Sequence, residues 1–403
     1  MQKIVIVGGG HAAAQLCASL ADAKFQGQVT LVSAEARLPY HRPPLSKAFL
    51  KDPQAPFQLI RPEASYAAAG VELRLGDAAV KLDRAAGQLH LQSGATVPYD
   101  VLVLATGSTA RALPGLADPC HGVLSLRTAG DALRVRDALA NVESIAVLGG
   151  GFIGLELAAT ARLLGKEVHV IEGAPRLLAR AVSPEISDWL LHVHRAAGID
   201  VELSTPVDDL RFDESGRLTG MVRHGEVLPL DLLVLGIGAV PETALAEAAG
   251  LEVRNGIVVD DSLRTSDPAI YAIGDCASFP YSGGVHLRLE SVQNANDQAK
   301  HVAAALASGV ATPYAAVPGF WSEQGSVRLQ MVGIAPPDAQ RFRRPGKTEA
   351  DFAVLHYVEG RLVAAEMVNS AADYMTVRKL LERGVSIPAE SAIDPAVALK
   401  SFL

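Results

Sequence analysis

Between Ser144 and Glu172 the chain reads SIAVLGGGFIGLELAATARLLGKEVHVIE, a string that few architectures accept. An apolar run, Ile145 to Leu148, enters a tight turn carrying Gly149, Gly151 and Gly154. A helical pattern follows, and a second apolar run, Val168 to Ile171, ends at Glu172. Strand, helix and strand in this length make a Rossmann unit. Gly149 permits the turn, Gly151 lets backbone amides close on a pyrophosphate, and Gly154 allows close helix packing. The phosphates would rest at the positive helix N-terminus. Glu172 lies 23 residues after Gly149, where a carboxylate accepts hydrogen bonds from both hydroxyls of an adenine ribose. A 2′-phosphate there would be repelled, so the unit is expected to take NAD rather than NADP.

The N-terminus, KIVIVGGGHAAAQLCASLADAKFQGQVTLVSAE, repeats this plan. Gly8 and Gly10 fill the first two glycine positions and Ala13 the third. The second strand, Val29 to Val32, ends at Ser33, and the nearest acid is Glu35, two residues beyond the usual place. Two dinucleotide folds imply two dinucleotides, and hydride traffic between FAD and NADH is the most economical reason for both. The apolar strand VLVLATG sets Ala105, Thr106 and Gly107 at its carboxyl end, where a small turn can approach a cofactor. Asp275 follows another apolar strand, either to bind a polyol hydroxyl or to cap the next helix, which carries Val292.

A length of 403 residues suggests two or three domains, and 49% hydrophobic with 20% charged residues is an ordinary globular balance. The net charge of −8 gives no support for nucleic-acid binding. Cys17, Cys120 and Cys276 are scattered without a CxxC, so they supply neither a disulfide framework nor a metal site and are expected to be buried small side chains. The apolar start IVIV is too short for a signal-peptide core, and no run of about 18 apolar residues occurs. A soluble, cytoplasmic protein without a membrane partner is the expectation.

The remaining segments are less regular. LPYHRPPLSKAFL, residues 38–50, reads as a proline-stiffened surface loop that sets Arg42 and Lys47 beyond the first Rossmann turn. The runs VELRLGDA and QLHLQSGATVPYD, between Val71 and Tyr99, read as short strands of a meander. Residues 113–122 are rich in turn formers and mark a domain crossing. Gly236, Gly238 and Pro241 shape a tight loop, by turn chemistry alone or to meet a ligand. From Pro318 the pattern changes to antiparallel strands followed by a helix from Tyr374 to Arg383.

The order GxGxxA, RPPLSK, ATG, GxGxxGLE, GIG, GDC, ESVQNAxDQA and FWSEQ covers nearly the whole chain. As a set it resembles the FAD-containing, NADH-dependent ferredoxin reductases that serve bacterial Rieske oxygenases and cytochromes P450, with their rubredoxin and putidaredoxin reductase relatives. The resemblance implies an α/β protein of glutathione-reductase-like architecture, with two Rossmann-like domains and a C-terminal α+β domain. Residues 1–111 and 240–317 would bind FAD, 112–239 NAD, and 318–403 would form the last domain. Gly8, Gly10, Ala13, Glu35, Arg42, Ala105, Thr106, Gly107, Asp275 and Val292 would hold FAD. Gly149, Gly151, Gly154, Glu172 and Gly238 would hold NADH. Lys47 would lie near the flavin and pair with Glu156, for which complementarity to the helix dipole is the plainer role. Trp321 would stand beside the isoalloxazine, as packing or as an electron route.

The resemblance also implies a ferredoxin-type [2Fe-2S] protein or a rubredoxin as electron acceptor. The basic run RFRRPGK, with Arg341, Arg343, Arg344 and Lys347, is either a solvated loop or a docking patch for such an acidic partner. Related flavin disulfide reductases need a CxxC beside the flavin, and peroxide-handling or water-forming NADH oxidases a single cysteine after the second strand, yet residues 33–50 contain none, which excludes a thiol relay there. Two other functions fit the same sequence: an NADH oxidase or quinone reductase without a protein acceptor, and an interaction protein switched by NADH.

Overall fold

The structure is a computed structural model that describes residues 1–114, 116, 121–281 and 284–403. Cys120 and part of the turn-rich stretch 113–122 lie outside the described residues. The chain forms two compact units. The first comprises Met1–His41, Phe57–Thr109 and Val240–Ala316; the second comprises Arg42–Pro56, Ala110–Ala239 and Val317–Leu403.

The first unit is built on a five-stranded parallel sheet ordered Ile270–Ala272, Val101–Leu104, Lys3–Val7, Gln28–Ser33, Val71–Leu75. Strand Lys3–Val7 is buried on both faces, as a central parallel strand must be, and so reads as an unbroken apolar run. The helix His11–Asp22 buries Ala13, Leu16, Cys17 and Leu20 and packs against the helix Val292–Ser308. The expected meander begins one strand late. VELRL is the edge of the parallel sheet, and only Ala79–Asp83, Gln88–Leu91 and Thr96–Pro98 form an antiparallel meander. An edge strand covered on one side alternates buried and open residues, which gives it the period of an antiparallel strand.

The second unit carries the other parallel sheet, ordered Asp200–Glu202, Glu167–Ile171, Ser144–Leu148, Leu232–Leu235, Val123–Ser125. In both units the strand before the glycine turn is central, flanked by its Rossmann partner and by a later strand. The point where strand order reverses lies beside the glycines. The fifth place goes to a downstream strand in the first unit and to an upstream strand in the second. The C-terminal part is a five-stranded antiparallel sheet, Gly319–Gln324, Val327–Gly333, Arg361–Val368, Phe352–Val358 and Gln340–Pro345 in order, covered by the helix Ala371–Glu382.

The segment at residues 38–50 is not a plain surface loop. Pro43–Ser46 is a 3-10 turn and Ala48–Lys51 a short helix, with Leu45, Phe49 and Leu50 buried. Proline at the first positions fixes φ for the turn, and the apolar residues at its end anchor it.

Candidate functional site

Two glycine cradles have the same construction. Gly8, at φ +137°, approaches the carbonyl of Ala105 so closely that a Cβ would lie 2.1 Å from its oxygen; Gly149, at φ +109°, faces the carbonyl of Gly236, with the same atom at 2.4 Å. The third position differs between the two. A Cβ on Gly154 would lie 2.4 Å from the Gly149 carbonyl oxygen, whereas Ala13 fits its helix fully buried. Gly10 and Gly151 cap their helices without a side-chain hydrogen bond, and neither helix has an acid in its first turn. Space beyond Gly10 is open to 4 Å. First-turn amides with no competing carboxylate are what a pyrophosphate requires, so both cradles fit a dinucleotide.

In the first unit the other expected residues gather at the carboxyl ends of the parallel strands. Thr106 donates its hydroxyl to the Glu242 carbonyl at 2.6 Å, and Gly107 adopts φ +75°. Asp275 sits in the 3-10 turn Gly274–Cys276 and accepts from Ser108 Oγ at 3.0 Å, so it is not the cap of the following helix. That cap is Ser291, which places Val292 at the first helical position. Glu35 accepts from the Tyr40 hydroxyl at 2.6 Å, which orients its carboxylate despite its late position.

In the second unit Glu172 accepts from the Gly150 amide at 2.6 Å and from the Ala174 amide at 2.7 Å, one on each carboxylate oxygen. Each oxygen keeps a second lone-pair direction for a donor such as a ribose hydroxyl. Gly238, at φ +103°, has open space where a Cβ would project. Arg42 groups with this second unit, its Nη1 donating to the Arg127 carbonyl at 2.9 Å.

The same unit holds a buried ion pair. Lys47 Nζ lies 2.5 Å from Glu156 Oε2, with side-chain exposures of 13% and 7%. Ser46 Oγ donates to the same oxygen at 2.6 Å, and Ser322 Oγ donates to Oε1 at 2.7 Å. Lys47 also donates to the Pro43 carbonyl at 3.0 Å and lies 5.4 Å from the centre of the Trp321 ring. Trp321 is 36% exposed, so its ring is not part of the core, while its neighbour Phe320 packs tilted against Phe152, ring centres 4.3 Å apart. A buried carboxylate survives only when paired and hydrogen-bonded, and three donors meet that need here. The glycine cradles are legible in the sequence and the Lys47–Glu156 pair through the family resemblance; Ser46, Ser322 and the residues behind Ser322 are not. Their signals are the serine of PPLSK and the alternation within FWSEQ.

Of the basic run, Arg344 does not belong to any docking patch. It is buried, donating to the carbonyls of Ala392 and Asp394 at 2.7 Å and of Val397 at 2.9 Å, and it faces Asp373. Arg341 pairs with Glu185, and Arg343 lies over the Phe352 ring. Cys17 and Cys276 are buried, and burial pushes the Cys17 thiol up to about 12. Among the described residues, His169, Asp200 and Glu202 lie close enough to share a cation, but Glu202 is already paired with Arg223 at 2.7 Å. No described helix is long and apolar enough to cross a membrane.

Residues 2–299 match the family model described as pyridine nucleotide-disulphide oxidoreductase, and residues 319–403 match the one described as reductase C-terminal. The chain belongs to the pyridine nucleotide-disulphide oxidoreductases. It is an oxidoreductase of the branch that carries the reductase C-terminal domain and uses FAD with a nicotinamide nucleotide. It is 40% identical over 99% of its length to the ferredoxin reductase subunit of 5,5′-dehydrodivanillate O-demethylase from Sphingobium sp., covering 97% of that protein. The ferredoxin reductase for the CYP199A2 system of Rhodopseudomonas palustris shares its fold at a TM-score of 0.94, with 43% identity and coverage of 100% and 99%. Putidaredoxin reductase, solved in covalent complex with putidaredoxin, also gives 0.94, at 34% identity and coverage of 100% and 98%.

Proposed function

We propose that this oxidoreductase draws electrons from NADH through FAD and delivers them to a ferredoxin-type iron–sulfur protein serving an oxygenase or a cytochrome P450. The observation that carries the reading is a disulphide-oxidoreductase scaffold that has a buried lysine–glutamate pair at residues 47 and 156 and no cysteine in residues 33–50. When bound, FAD takes two electrons from the nicotinamide and returns them singly to an iron–sulfur centre.

The chain's own residues supply binding and charge. Residues 1–111 and 240–317 serve as the FAD domain, with 42–56 grouping with the second unit, 112–239 as the NAD domain, and 318–403 as the C-terminal domain. The first-turn amides of the helices His11–Asp22 and Phe152–Leu163 bind the two pyrophosphates, and Asp275 takes a hydroxyl of the flavin's polyol chain. Arg42 contributes positive charge towards FAD. Glu172 accepts from ribose hydroxyls and repels a 2′-phosphate, which selects NADH. Lys47 stabilises the negative charge that reduction brings to a flavin, and Glu156 holds Lys47 in place; a unit charge a few ångströms away is worth on the order of 1–4 kcal/mol at effective dielectric constants of about 20–80. Trp321 provides an aromatic surface for electron exit. Arg341, Arg343 and Lys347 attract an acidic partner and act on its association rate. The cytoplasm, which supplies NADH, is the working compartment.

Anaerobic mixing of the purified yellow protein with NADH, followed by a panel of oxidised ferredoxins and a rubredoxin, tests this directly. Fast bleaching by NADH and fast reoxidation by one carrier is the expected result. Bleaching that only oxygen or quinones reverse would make the protein an oxidase or quinone reductase. A long-lived reduced state accompanied by a change in molecular mass would make it an NADH-switched interaction protein.

A further inference from the structure

Behind the ion pair runs a chain of buried polar side chains. Glu156 Oε1 accepts from Ser322 Oγ at 2.7 Å, Ser322 Oγ accepts from Gln324 Nε2 at 3.2 Å, and Gln324 Oε1 lies 2.8 Å from His194 Nε2. Ser322, Gln324 and His194 are each no more than 2% exposed. Ser322 and Gln324 point inward from the strand Gly319–Gln324 while Trp321 and Glu323 point outward, and His194 comes from the last turn of the helix Pro184–Ala196.

Direction follows from donor chemistry. A carboxylate only accepts, so the Ser322 hydroxyl donates to it. The hydroxyl then accepts, which turns the Gln324 amide nitrogen towards it and the amide oxygen towards His194. That oxygen requires an N–H, so His194 carries its proton on Nε2. Burial lowers the pKa of His194 and keeps the ring neutral, although the bond to Gln324 acts the other way. Every dipole in the chain therefore presents its positive end towards Glu156.

We infer that Ser322, Gln324 and His194 are positioning residues, a one-way chain of donors by which the C-terminal strand FWSEQ and the helix Pro184–Ala196 hold Glu156 against Lys47. A primary amide does not pass protons readily, so the chain is an electrostatic brace and not a proton wire. The inference rests on the reading that the Lys47–Glu156 pair serves flavin reduction, and it ascribes the serine and glutamine of FWSEQ to that pair.

The test uses the full-length yellow protein with three readouts: the tautomer of His194 by nitrogen NMR, the rate at which Lys47 takes an amine-reactive label by mass spectrometry, and the rate of flavin reduction by NADH. Expected are an Nε2-protonated His194, labelling of Lys47 about tenfold to a hundredfold faster in Ser322→Ala, and recovery in Ser322→Thr, the change expected for losing one hydrogen bond to a charged group. Flavin reduction should slow in Ser322→Ala with KM for NADH unchanged, again with recovery in Ser322→Thr. An Nδ1-protonated His194, or unchanged labelling in Ser322→Ala, overturns the brace. Should Lys47 labelling respond as expected while Lys47→Gln reduces its flavin at the wild-type rate, the brace stands and the role of the pair in reduction falls.

Discussion

Lys47 and Glu156 meet at 2.5 Å, the lysine directly after a 3-10 turn rich in proline and the glutamate on the helix of the second glycine cradle. Removing one partner leaves an uncompensated buried charge, which costs about 3–5 kcal/mol, whereas removing both costs less than the sum. Denaturant unfolding of Lys47→Met, Glu156→Leu and the double variant should therefore show a coupling energy of more than about 1 kcal/mol. Additive losses would mean that the pair is not a structural unit. In the milder Lys47→Gln and Glu156→Gln variants, FAD should remain bound and its reduction by NADH should slow.

The reach of the sequence is clear from this pair. The glycine turns were legible because every residue that shapes them lies within one strand–helix–strand unit, where spacing alone fixes geometry. Lys47 and Glu156 needed a family resemblance, and the rest of the cluster escaped because Ser46 and Ser322 stand 110 and 166 residues from Glu156. Arg344 shows the opposite failure. Its charge was visible, but the turn of chain that closes over it, Ala392 to Val397, carries no mark of being its acceptor.

Gly8 and Gly10 should behave differently on methylation. Gly8→Ala puts a Cβ 2.1 Å from a backbone oxygen at φ +137°, so loss of soluble protein is expected. Gly10 lies at φ −100° facing open space, so Gly10→Ala should fold and melt as the parent does, yet retain FAD poorly on dialysis because the methyl occupies the pyrophosphate's approach. Equal FAD retention would remove Gly10 from the cradle.

Glu172 is anchored by the amides of Gly150 and Ala174. Glu172→Ala should lower the preference for NADH over NADPH by at least about fivefold, since a unit charge at contact distance is worth about 1–4 kcal/mol. Flavin reduction rates with the two nucleotides give the ratio, and an unaltered ratio would clear Glu172 of selecting the cofactor.

His194 makes stability depend on pH. Burial lowers its folded-state pKa below the ordinary 6.5. Below 6.5 the unfolded chain binds a proton that the native ring resists, so this contribution is complete above 6.5 and is lost as pH falls through the folded value. Chemical denaturation between pH 7.5 and about 5 should show a stability decline that is shallower in His194→Gln. Parallel declines would place the acid sensitivity elsewhere.

Charge reversal separates structure from docking in the basic run. Arg344 is buried and satisfies three carbonyls, that of Ala392 buried and those of Asp394 and Val397 partly so, so Arg344→Ala should destabilise the protein by about 1–3 kcal/mol as a buried acceptor loses its donor. Arg341→Glu and Lys347→Glu change side chains that water reaches, so stability should move by about 0.5 kcal/mol or less, allowing for the partly exposed pair of Arg341 with Glu185. Stopped-flow reduction of an acidic ferredoxin by these two variants should be slower at low ionic strength and converge on the parent as salt screens the interaction beyond about 10 Å at 0.1 M. A rate that salt does not restore would place the docking surface away from this strand.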